Sequence, residues 1–264
     1  SSGRTIFIDG TVDDIAVDSC MLINPTGSST TYGVYNYSAD VLSNSSFTNN
    51  TILYGYYGIY IYGSSTNRDY DNVISNNKMY NQYSRALYLR YNGNVEVSNN
   101  EITSDGLSAA TSYGMYVYYT VGDSVKITNN HIYQQPGSDY PDYGIYLGYS
   151  DGYPFSPLLL QGNAVSLIDA PTTGVYITGC DYVDILNNSS FTYGDGAADE
   201  AMYITGTGHR LYNNALAAGN YATALYVSSG VVESDNNAYS SDSTLVYWGG
   251  DRNDLLSLQA YSNT

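Results

Sequence analysis

Short segments in which tyrosine alternates with aliphatic residues recur nine times along the chain. Most copies place an aliphatic residue on each side of a central tyrosine, as in YGIYIYG (57–63) and YGMYVYY (113–119). A period of two predicts a β-strand with one buried face, so we expect the aliphatic residues to point inward and the tyrosine outward. The central tyrosines are Tyr35, Tyr60, Tyr88, Tyr116, Tyr146, Tyr176, Tyr203, Tyr226 and Tyr247.

A second set of short apolar segments runs out of phase with the first and ends in paired asparagines. Asparagine at one turn position of every rung predicts a ladder of hydrogen-bonded side-chain amides. Each repeat therefore contains at least two strands, one with the tyrosine and one before the asparagine pair. The pairs occupy positions 49/50, 76/77, 99/100, 129/130, 187/188, 213/214 and 236/237, with Gly162-Asn163 in the remaining slot.

The length of the repeat indicates a solenoid. Consecutive central tyrosines are 21 to 30 residues apart, and the gaps between strands are rich in the turn-forming residues Gly, Asn, Ser and Asp. Rungs this short, without a helical pattern, bury their apolar side chains by stacking as parallel strands. The predicted fold class is all-β, a single parallel β-helix (β-solenoid) of about nine to ten coils that spans residues 1–264.

The two ends of a solenoid need protection, because the last strands expose unpaired backbone groups. Residues 1–25 predict a first coil. Residues 251–264 place Leu255, Leu256 and Leu258 after a candidate helix N-cap at Asp254. This segment predicts a cap on the last rung or a lead into further chain.

The rung that reads YGIYIYGSS … NVISNNKMY resembles the right-handed parallel β-helix repeat of secreted and cell-surface proteins, notably from Bacteroidota. The closing LVYWGGDRNDLLSLQAYSNT also resembles the end of such a helix. The resemblance implies a right-handed helix and an extracellular location, either secreted or at the cell surface. It leaves the function open, because this fold hosts lyases, hydrolases, epimerases, adhesins and phage tailspikes.

Charge and cysteine content limit the partners. The formal net charge is −17 with only eight basic residues, so neither nucleic acid nor an anionic membrane is expected as a partner. No apolar run is long enough to span a bilayer. Cys20 and Cys180 lie about six rungs apart, roughly 29 Å at ~4.8 Å per rung, which is too far for a disulfide. Calcium is the one candidate cofactor, and the acidic loop with Asp195, Asp199 and Glu200 is one place for it.

The outward side of the tyrosine strand is the predicted binding surface. Rings with hydroxyl tips suit sugar faces or a protein partner, whereas the structural alternative is that stacked tyrosines only stabilise the sheet. Further tyrosines extend the surface at Tyr32, Tyr57, Tyr113 and Tyr143 on one side and at Tyr37, Tyr62 and Tyr118 on the other. A second outward column of small residues is expected two positions before the central tyrosines, at Gly33, Gly58, Ala86, Gly114, Gly144, Gly174, Ala201 and Ala224.

The candidate site lies in the middle of this surface. Arg85 and Arg90 stand on either side of Tyr88 and form the one basic pair there, a candidate anion site. Two long loops, 133–142 and 149–157, flank the Tyr146 strand and combine rings with carboxylates, so they are candidates for a sugar or calcium site. The predicted ligand-binding residues are Tyr60, Tyr88, Tyr116, Tyr118, Tyr140, Tyr146, Tyr149, Asp142, Asp151, Arg85 and Arg90.

No catalytic residue is predicted, because the three main outward columns of the tyrosine strand carry no Asp or Glu and Glu200 stands alone at their margin, whereas a glycoside hydrolase needs two carboxyls. The leading hypothesis is a non-catalytic module that binds a glycan or a protein partner through the tyrosines. One alternative is a carbohydrate-active enzyme, above all a polysaccharide lyase that uses the basic pair. The other is a structural stalk or filament subunit whose tyrosine surface is buried between copies.

Overall fold

The protein is a parallel β-helix built from three long sheets. The structure, a computed structural model, describes residues 3–26, 30–37, 40–104, 111–138, 141–168, 173–193 and 199–254. Each rung contributes one strand to each sheet, and the order of strands in every sheet follows the order along the chain. This arrangement confirms the fold class predicted from the repeats.

The first sheet, here called the tyrosine sheet, carries the central tyrosines. Its first ten strands pair in parallel, and a short last strand turns back antiparallel. Equivalent residues are in register, so that Tyr88 pairs with Tyr60 on one side and with Tyr116 on the other. The strands are Gly3–Ile8, Thr31–Asn36, Tyr57–Tyr62, Arg85–Arg90, Tyr113–Tyr118, Tyr143–Gly148, Thr173–Asp181, Glu200–Thr207, Thr223–Val227, Val246–Trp248 and Asp251–Arg252.

Two nine-stranded sheets form the other sides of the helix. The second sheet, before the asparagine pairs, contains Ala16–Asp18, Ser46–Thr48, Val73–Ser75, Glu96–Ser98, Lys126–Thr128, Leu158–Gln161, Val183–Leu186, His209–Tyr212 and Val231–Asp235. The third sheet, after the pairs, contains Met21–Ile23, Thr51–Leu53, Lys78–Tyr80, Glu101–Ser104, His131–Gln134, Ala164–Ile168, Ser189–Tyr193, Ala215–Gly219 and Ala238–Ser241. A short four-stranded sheet (Val12–Asp13, Leu42–Ser43, Asp69–Tyr70 and Asn92–Gly93) covers the corner between the tyrosine sheet and the second sheet in the first rungs.

The core is a set of aliphatic columns that run the length of the helix. The residues on both sides of each central tyrosine point inward, as predicted, and Ile59, Ile61, Leu87 and Leu89 are completely buried. Removing this much apolar surface from water is the main favourable contribution to folding. The first column contains Val34, Ile59, Leu87, Met115, Ile145, Val175, Met202, Leu225 and Val246, and the second contains Ile61, Leu89, Val117, Leu147, Ile177, Ile204 and Val227.

The predicted outward column of small residues was wrong, because these residues face the core. Ala86, for example, is completely buried, and a Cβ built on Gly58 would lie 3.2 Å from the Met79 sulfur of the third sheet. Strict alternation fails here because strand Tyr57–Tyr62 has two consecutive buried positions, Gly58 and Ile59. Small residues are needed where the strand passes this close to the third sheet, and the shift leaves both Tyr57 and Tyr60 on the outer surface. The buried column contains Gly33, Gly58, Ala86, Gly114, Gly144, Gly174, Ala201 and Ala224.

The asparagine pairs form the predicted ladder. The second residue of each pair is buried, apart from the half-buried Asn237 in the last rung. From Asn50 to Asn214, its Nδ2 donates to Oδ1 of the asparagine in the next rung at 2.9–3.0 Å. The first residue has a left-handed backbone, with φ of 56° at Asn99 and 67° at Gly162, a conformation that favours Asn and Gly. The ladder runs through Asn50, Asn77, Asn100, Asn130, Asn163, Asn188, Asn214 and Asn237.

The remaining sequence expectations concern the ends and the cysteines. The strands in residues 3–23 build the first rung, and Asp251–Arg252 pairs with Val246–Trp248, whereas the predicted helix around Leu255 lies outside the described residues. Cys20 and Cys180 are both free thiols, as their separation predicted. None of the described residues belongs to a helix with the length and apolar character needed to cross a membrane.

One buried carboxyl sits at the corner after the tyrosine sheet. Asp69 is completely buried, and one of its oxygens accepts a hydrogen bond from the Leu42 N–H at 2.8 Å. Among the described residues, its Oδ2 and the Oδ1 of Asn92 in the next rung have no hydrogen-bond partner. Burial raises the pKa of Asp69 to about 7. When Asp69 is protonated, its carboxyl becomes a hydrogen-bond donor at a position where its own Oδ2 and the Oδ1 of Asn92 otherwise have none from the described residues.

We predict that Asn100→Ala destabilises the helix by roughly 2–4 kcal/mol, because it leaves the buried Asn77 amide groups and the Ile74 carbonyl without their partner. The matched control is Asn99→Gly, which keeps the left-handed turn and the ladder. Urea unfolding monitored by circular dichroism gives both values. Equal stability of Asn100→Ala and the unmutated protein would show that the ladder is not needed.

We predict that Asp69→Asn stabilises the protein at pH 8, by on the order of 1–3 kcal/mol, and changes little near pH 4. The folded-state pKa of Asp69 lies above its ordinary 3.8, so the stability linked to its proton is complete below about pH 4 and is lost as the pH rises towards 7. Asparagine keeps the acceptor for Leu42 and does not ionise. Urea unfolding from pH 4 to 8 tests this, with the exposed Asp71→Asn as control. A variant with the pH dependence of the unmutated protein would contradict it.

Candidate functional site

The nine central tyrosines form one continuous stack along the outer side of the tyrosine sheet, here called the central column. Neighbouring ring centroids are 4.3–5.2 Å apart, and neighbouring ring planes differ by 6–17°. Adjacent rings therefore cover one another's faces. The edges and hydroxyl groups remain for solvent, so the platform of open ring faces expected for sugar stacking is not present in this column.

Four hydroxyl groups in the middle of the central column have raised pKa values. Desolvation by burial, followed by the neighbouring phenols, raises the pKa of Tyr60, Tyr116 and Tyr146 well above the usual 10. The pKa of Tyr88 is also raised by burial, although the nearby Arg85 and Arg90 act in the opposite direction. These phenols remain protonated at neutral pH, and each offers one donor and two acceptor lone pairs. A phenolate base is correspondingly disfavoured.

An upstream flank lies beside the central column and consists of Tyr32, Tyr57, Arg85, Tyr113 and Tyr143. Tyr32 stacks on Tyr57 at 5.1 Å, and Tyr113 stacks on Tyr143 at 5.1 Å. Arg85 fills the gap between the two pairs, with its guanidinium carbon 5.7 Å from the Tyr57 ring centre and 4.6 Å from that of Tyr113. A planar cation thus takes the place of one ring in the stack.

A downstream flank lies on the other side and contains Tyr62, Arg90 and Tyr118 in register. The Arg90 guanidinium carbon is 5.1 Å from the Tyr62 ring centre and 5.6 Å from that of Tyr118. Burial raises the pKa of Tyr88, and the charge of Arg90 acts in the opposite direction with a smaller effect. The two predicted arginines therefore bracket Tyr88 from opposite sides, as the sequence suggested.

The turn directly after the strands carries a further group of tyrosines, of which the sequence analysis named only Tyr149. Tyr91, Tyr119 and Tyr149, here called the turn column, have φ of 46–56° in three successive rungs, although bulky residues rarely adopt this conformation. Their rings pack at 5.0 Å and 5.4 Å, and Arg90 lies 5.0 Å from the Tyr91 ring centre. Their signal is a second tyrosine three positions after the central one, in YLRY, YVYY and YLGY.

Arginines are concentrated on this side of the molecule. Arg4 lies 4.2 Å from the Tyr35 ring centre, and Arg68 lies 5.6 Å from that of Tyr91. With Arg85 and Arg90, four of the eight basic residues of the chain contact these rings. We use the name tyrosine face for the central column, the two flanks, the turn column and these four arginines.

The two loops expected to form a sugar or calcium site do not come together. Asp142 precedes strand Tyr143–Gly148 and Asp151 follows it, so that six residues of extended chain, about 20 Å, separate them. The Asp142 carboxylate accepts from the Ser112 amide at 2.6 Å and from its hydroxyl, whereas Asp151 accepts from the Asp181 amide at 2.9 Å. Both carboxylates are therefore engaged in contacts between rungs, which corrects the prediction of one shared site.

The other carboxyl at the margin of the tyrosine face is also engaged. Glu200 is buried and accepts from the Thr173 hydroxyl at 2.9 Å, and burial raises its pKa to about 7. No group of three or more His, Cys, Asp or Glu side chains with the geometry of a metal site occurs in the described part of the chain. Tyr140 and Asp195, which the sequence analysis singled out, lie outside the described residues.

Comparison with known proteins agrees with this architecture. A family model described as a right handed beta helix region matches residues 5–166, more than half of the chain. Neither curated proteins nor solved structures give a significant match. The matched segment includes the strands of Tyr60, Tyr88, Tyr116 and Tyr146, together with Arg85 and Arg90. The in-register parallel rungs and this match together show that the chain belongs to the right-handed β-helix family.

Proposed function

We propose that this β-helix is a non-catalytic module, secreted or at a cell surface, that binds an extended glycan through the tyrosine face. The observation that carries the proposal is the unbroken stack of nine tyrosines. Raised pKa values keep the hydroxyl groups of Tyr60, Tyr88, Tyr116 and Tyr146 in this stack neutral. The stack presents a row of donors and acceptors at a spacing of about 4.8 Å over roughly 40 Å. A linear polymer with many hydroxyl groups is a ligand that matches such a row.

Recognition in this proposal depends on hydroxyl edges rather than on open ring faces. Stacking fixes each tyrosine before the ligand arrives, so little side-chain entropy remains to be lost on binding. Each phenol donates one hydrogen bond to a sugar oxygen and accepts from a sugar hydroxyl. The free-energy gain per rung is small, and affinity accumulates along the row. Calcium is not required in this scheme.

A polysaccharide lyase is the catalytic alternative. Such an enzyme needs a base beside the substrate acid, and the raised pKa values of Tyr60, Tyr88 and Tyr116 disfavour a phenolate. The carboxyls at the margin, Asp142 and Glu200, are engaged by Ser112 and Thr173. Ultraviolet absorbance of unsaturated products, measured with acidic polysaccharides with and without calcium, tests this alternative directly.

The structural alternative buries the tyrosine face between copies of the chain. Contiguous exposed aromatic surface commonly marks an interface. Tyr149 of the turn column and Tyr37, whose ring packs 5.6 Å from that of Tyr62 in the downstream flank, are close to half exposed. Sedimentation over a range of protein concentrations separates the hypotheses. A monomer at all concentrations supports the binding module, whereas concentration-dependent assembly that is lost on mutation of these tyrosines supports the stalk or filament.

We predict that the double variant Tyr116→Phe/Tyr146→Phe loses glycan affinity by about 10-fold while its stability stays within ~0.5 kcal/mol of the unmutated protein. Phenylalanine keeps the ring stack at 5.0 Å and removes only the hydroxyl groups. The measurement is a glycan array, in calcium and in a chelator, followed by calorimetry on the glycans that bind.

The matched control is Tyr133→Phe, which removes a tyrosine hydroxyl from the third sheet. Its affinity is expected to equal that of the unmutated protein. Unchanged binding by the double variant would sink the hydroxyl-edge mechanism. Absence of binding to any glycan would leave a protein partner or an assembly subunit as the better account of the tyrosine face.

A further inference from the structure

The charge of the tyrosine face is opposite to that of the molecule as a whole. The formal net charge is −17, yet half of the eight basic residues contact tyrosine-face rings. The strands Tyr57–Tyr62, Arg85–Arg90 and Tyr113–Tyr118 each contribute one residue to the upstream flank, the central column and the downstream flank. All of these residues are tyrosine or arginine. In these three rungs the surface therefore carries positive charge, and none of the column positions holds a carboxylate.

Neither of the two central arginines has a carboxylate partner within the described ranges. The ion pairs found there lie on the other sheets and join Lys78 to Glu101 and Arg210 to Asp184. Arg85 instead donates to the Tyr57 hydroxyl at 3.3 Å and to the Ser84 hydroxyl at 3.1 Å. Hydrogen bonds to neutral oxygens orient a guanidinium but leave its charge uncompensated.

The surrounding rings hold both cations in place. The Arg85 guanidinium carbon lies 4.6–5.7 Å from the centres of four tyrosine rings, and that of Arg90 lies 5.0–5.7 Å from four others. Both side chains are partly exposed. A fixed planar guanidinium matches the oxygens of a carboxylate or a sulfate group, and a preformed site of this kind loses little entropy on binding.

We propose that Arg85 and Arg90, on either side of Tyr88, form a subsite for acidic groups of a glycan that lies along the tyrosine face. The inference rests on the proposed function and adds the class of ligand, an acidic polysaccharide. The phenols of the neighbouring rungs bind its hydroxyl groups. Arg85 and Arg90 flank the polymer at the rung of Tyr88, where each guanidinium is available to pair with a carboxylate or a sulfate. The pair thereby sets the register of the polymer on the row of tyrosines.

The test compares acidic and neutral forms of the same backbone. Calorimetry with the full chain, in 0.15 M salt and a chelator, uses polygalacturonate and its methyl ester for the carboxylate, and dextran sulfate and dextran for the sulfate. At this salt concentration charges interact over about 8 Å, so the distant negative charge of the protein is screened. We expect the acidic form of at least one pair to bind about 10-fold or more tightly than the neutral form.

The decisive variant is Arg85→Tyr/Arg90→Tyr. It continues the tyrosine columns of the adjacent rungs, so it keeps the stack while it removes both cations. We expect it to lose the preference for the acidic form and to keep its binding of the neutral form and its melting temperature. Arg210→Gln removes one positive charge from the second sheet and is expected to change none of these affinities.

Each contrary outcome has a distinct meaning. Equal binding of acidic and neutral forms, or a preference that survives in the double variant, overturns the arginine subsite and leaves the proposed glycan module intact. Binding of poly-glutamate as tight as that of the acidic polysaccharide overturns the assignment to a glycan in favour of an acidic protein. Failure of every polysaccharide to bind overturns both the subsite and the module.

Discussion

The spacing between rungs is the constraint on which the rest of this structure depends. Parallel strands in register place each side chain about 4.8 Å from the equivalent side chain of the next rung, so a residue repeated along the chain meets copies of itself. Such a column can be filled only by a side chain that makes a favourable contact with an identical side chain at this distance. Side-chain amides meet this requirement by donating and accepting hydrogen bonds along Asn77, Asn100 and Asn130. Phenol rings meet it by stacking.

The same spacing decides what the tyrosines can offer to a ligand. Rings that stack at 4.3–5.2 Å cover each other's faces, and this contributes to stability while it removes the surface on which a sugar ring would lie. The hydroxyl groups then become the available chemistry, and burial keeps those of the middle rungs neutral. A guanidinium is as thin as an aromatic ring, so Arg85 and Arg90 enter the flanks without interrupting them. They introduce charge at the rung of Tyr88, as Arg4 of the first rung does beside Tyr35.

Much of this arrangement follows from the sequence, because periodicity specifies which residues share a column. Tyr60, Tyr88 and Asn100 were placed correctly for that reason. The orientation of Gly58 was wrong, since strict alternation does not anticipate two consecutive inward residues at a corner. Ring orientation within the stack also has no sequence signal, and for this reason a platform of open ring faces was expected.

The positions of the loop residues are likewise not predicted by the periodicity of the repeats. Asp142 and Asp151 are close in the sequence, but they lie at opposite ends of the strand Tyr143–Gly148 that separates them. Tyr119 and Arg68 were missed because the rungs differ in length, so the repeat does not show which residues of two rungs meet. Arg68 donates to the carbonyl of Tyr119, which lies 51 positions away. Repeat periodicity predicts the columns, whereas contacts made by insertions depend on where each loop folds back.

The turn column indicates that the arginines and tyrosines act as one unit. A left-handed backbone at a bulky residue costs of order 1–2 kcal/mol, and Tyr91, Tyr119 and Tyr149 adopt it in three successive rungs where Asn or Gly would avoid the strain. Strain of this size persists only where surrounding contacts offset it. Those contacts are the neighbouring rings and the Arg90 guanidinium, which lies 5.0 Å and 5.7 Å from the Tyr91 and Tyr119 ring centres. Local strain, stacked rings and an uncompensated cation thus occur together beside Tyr88, and this coincidence supports the proposal that a ligand binds at the rung of Arg85 and Arg90.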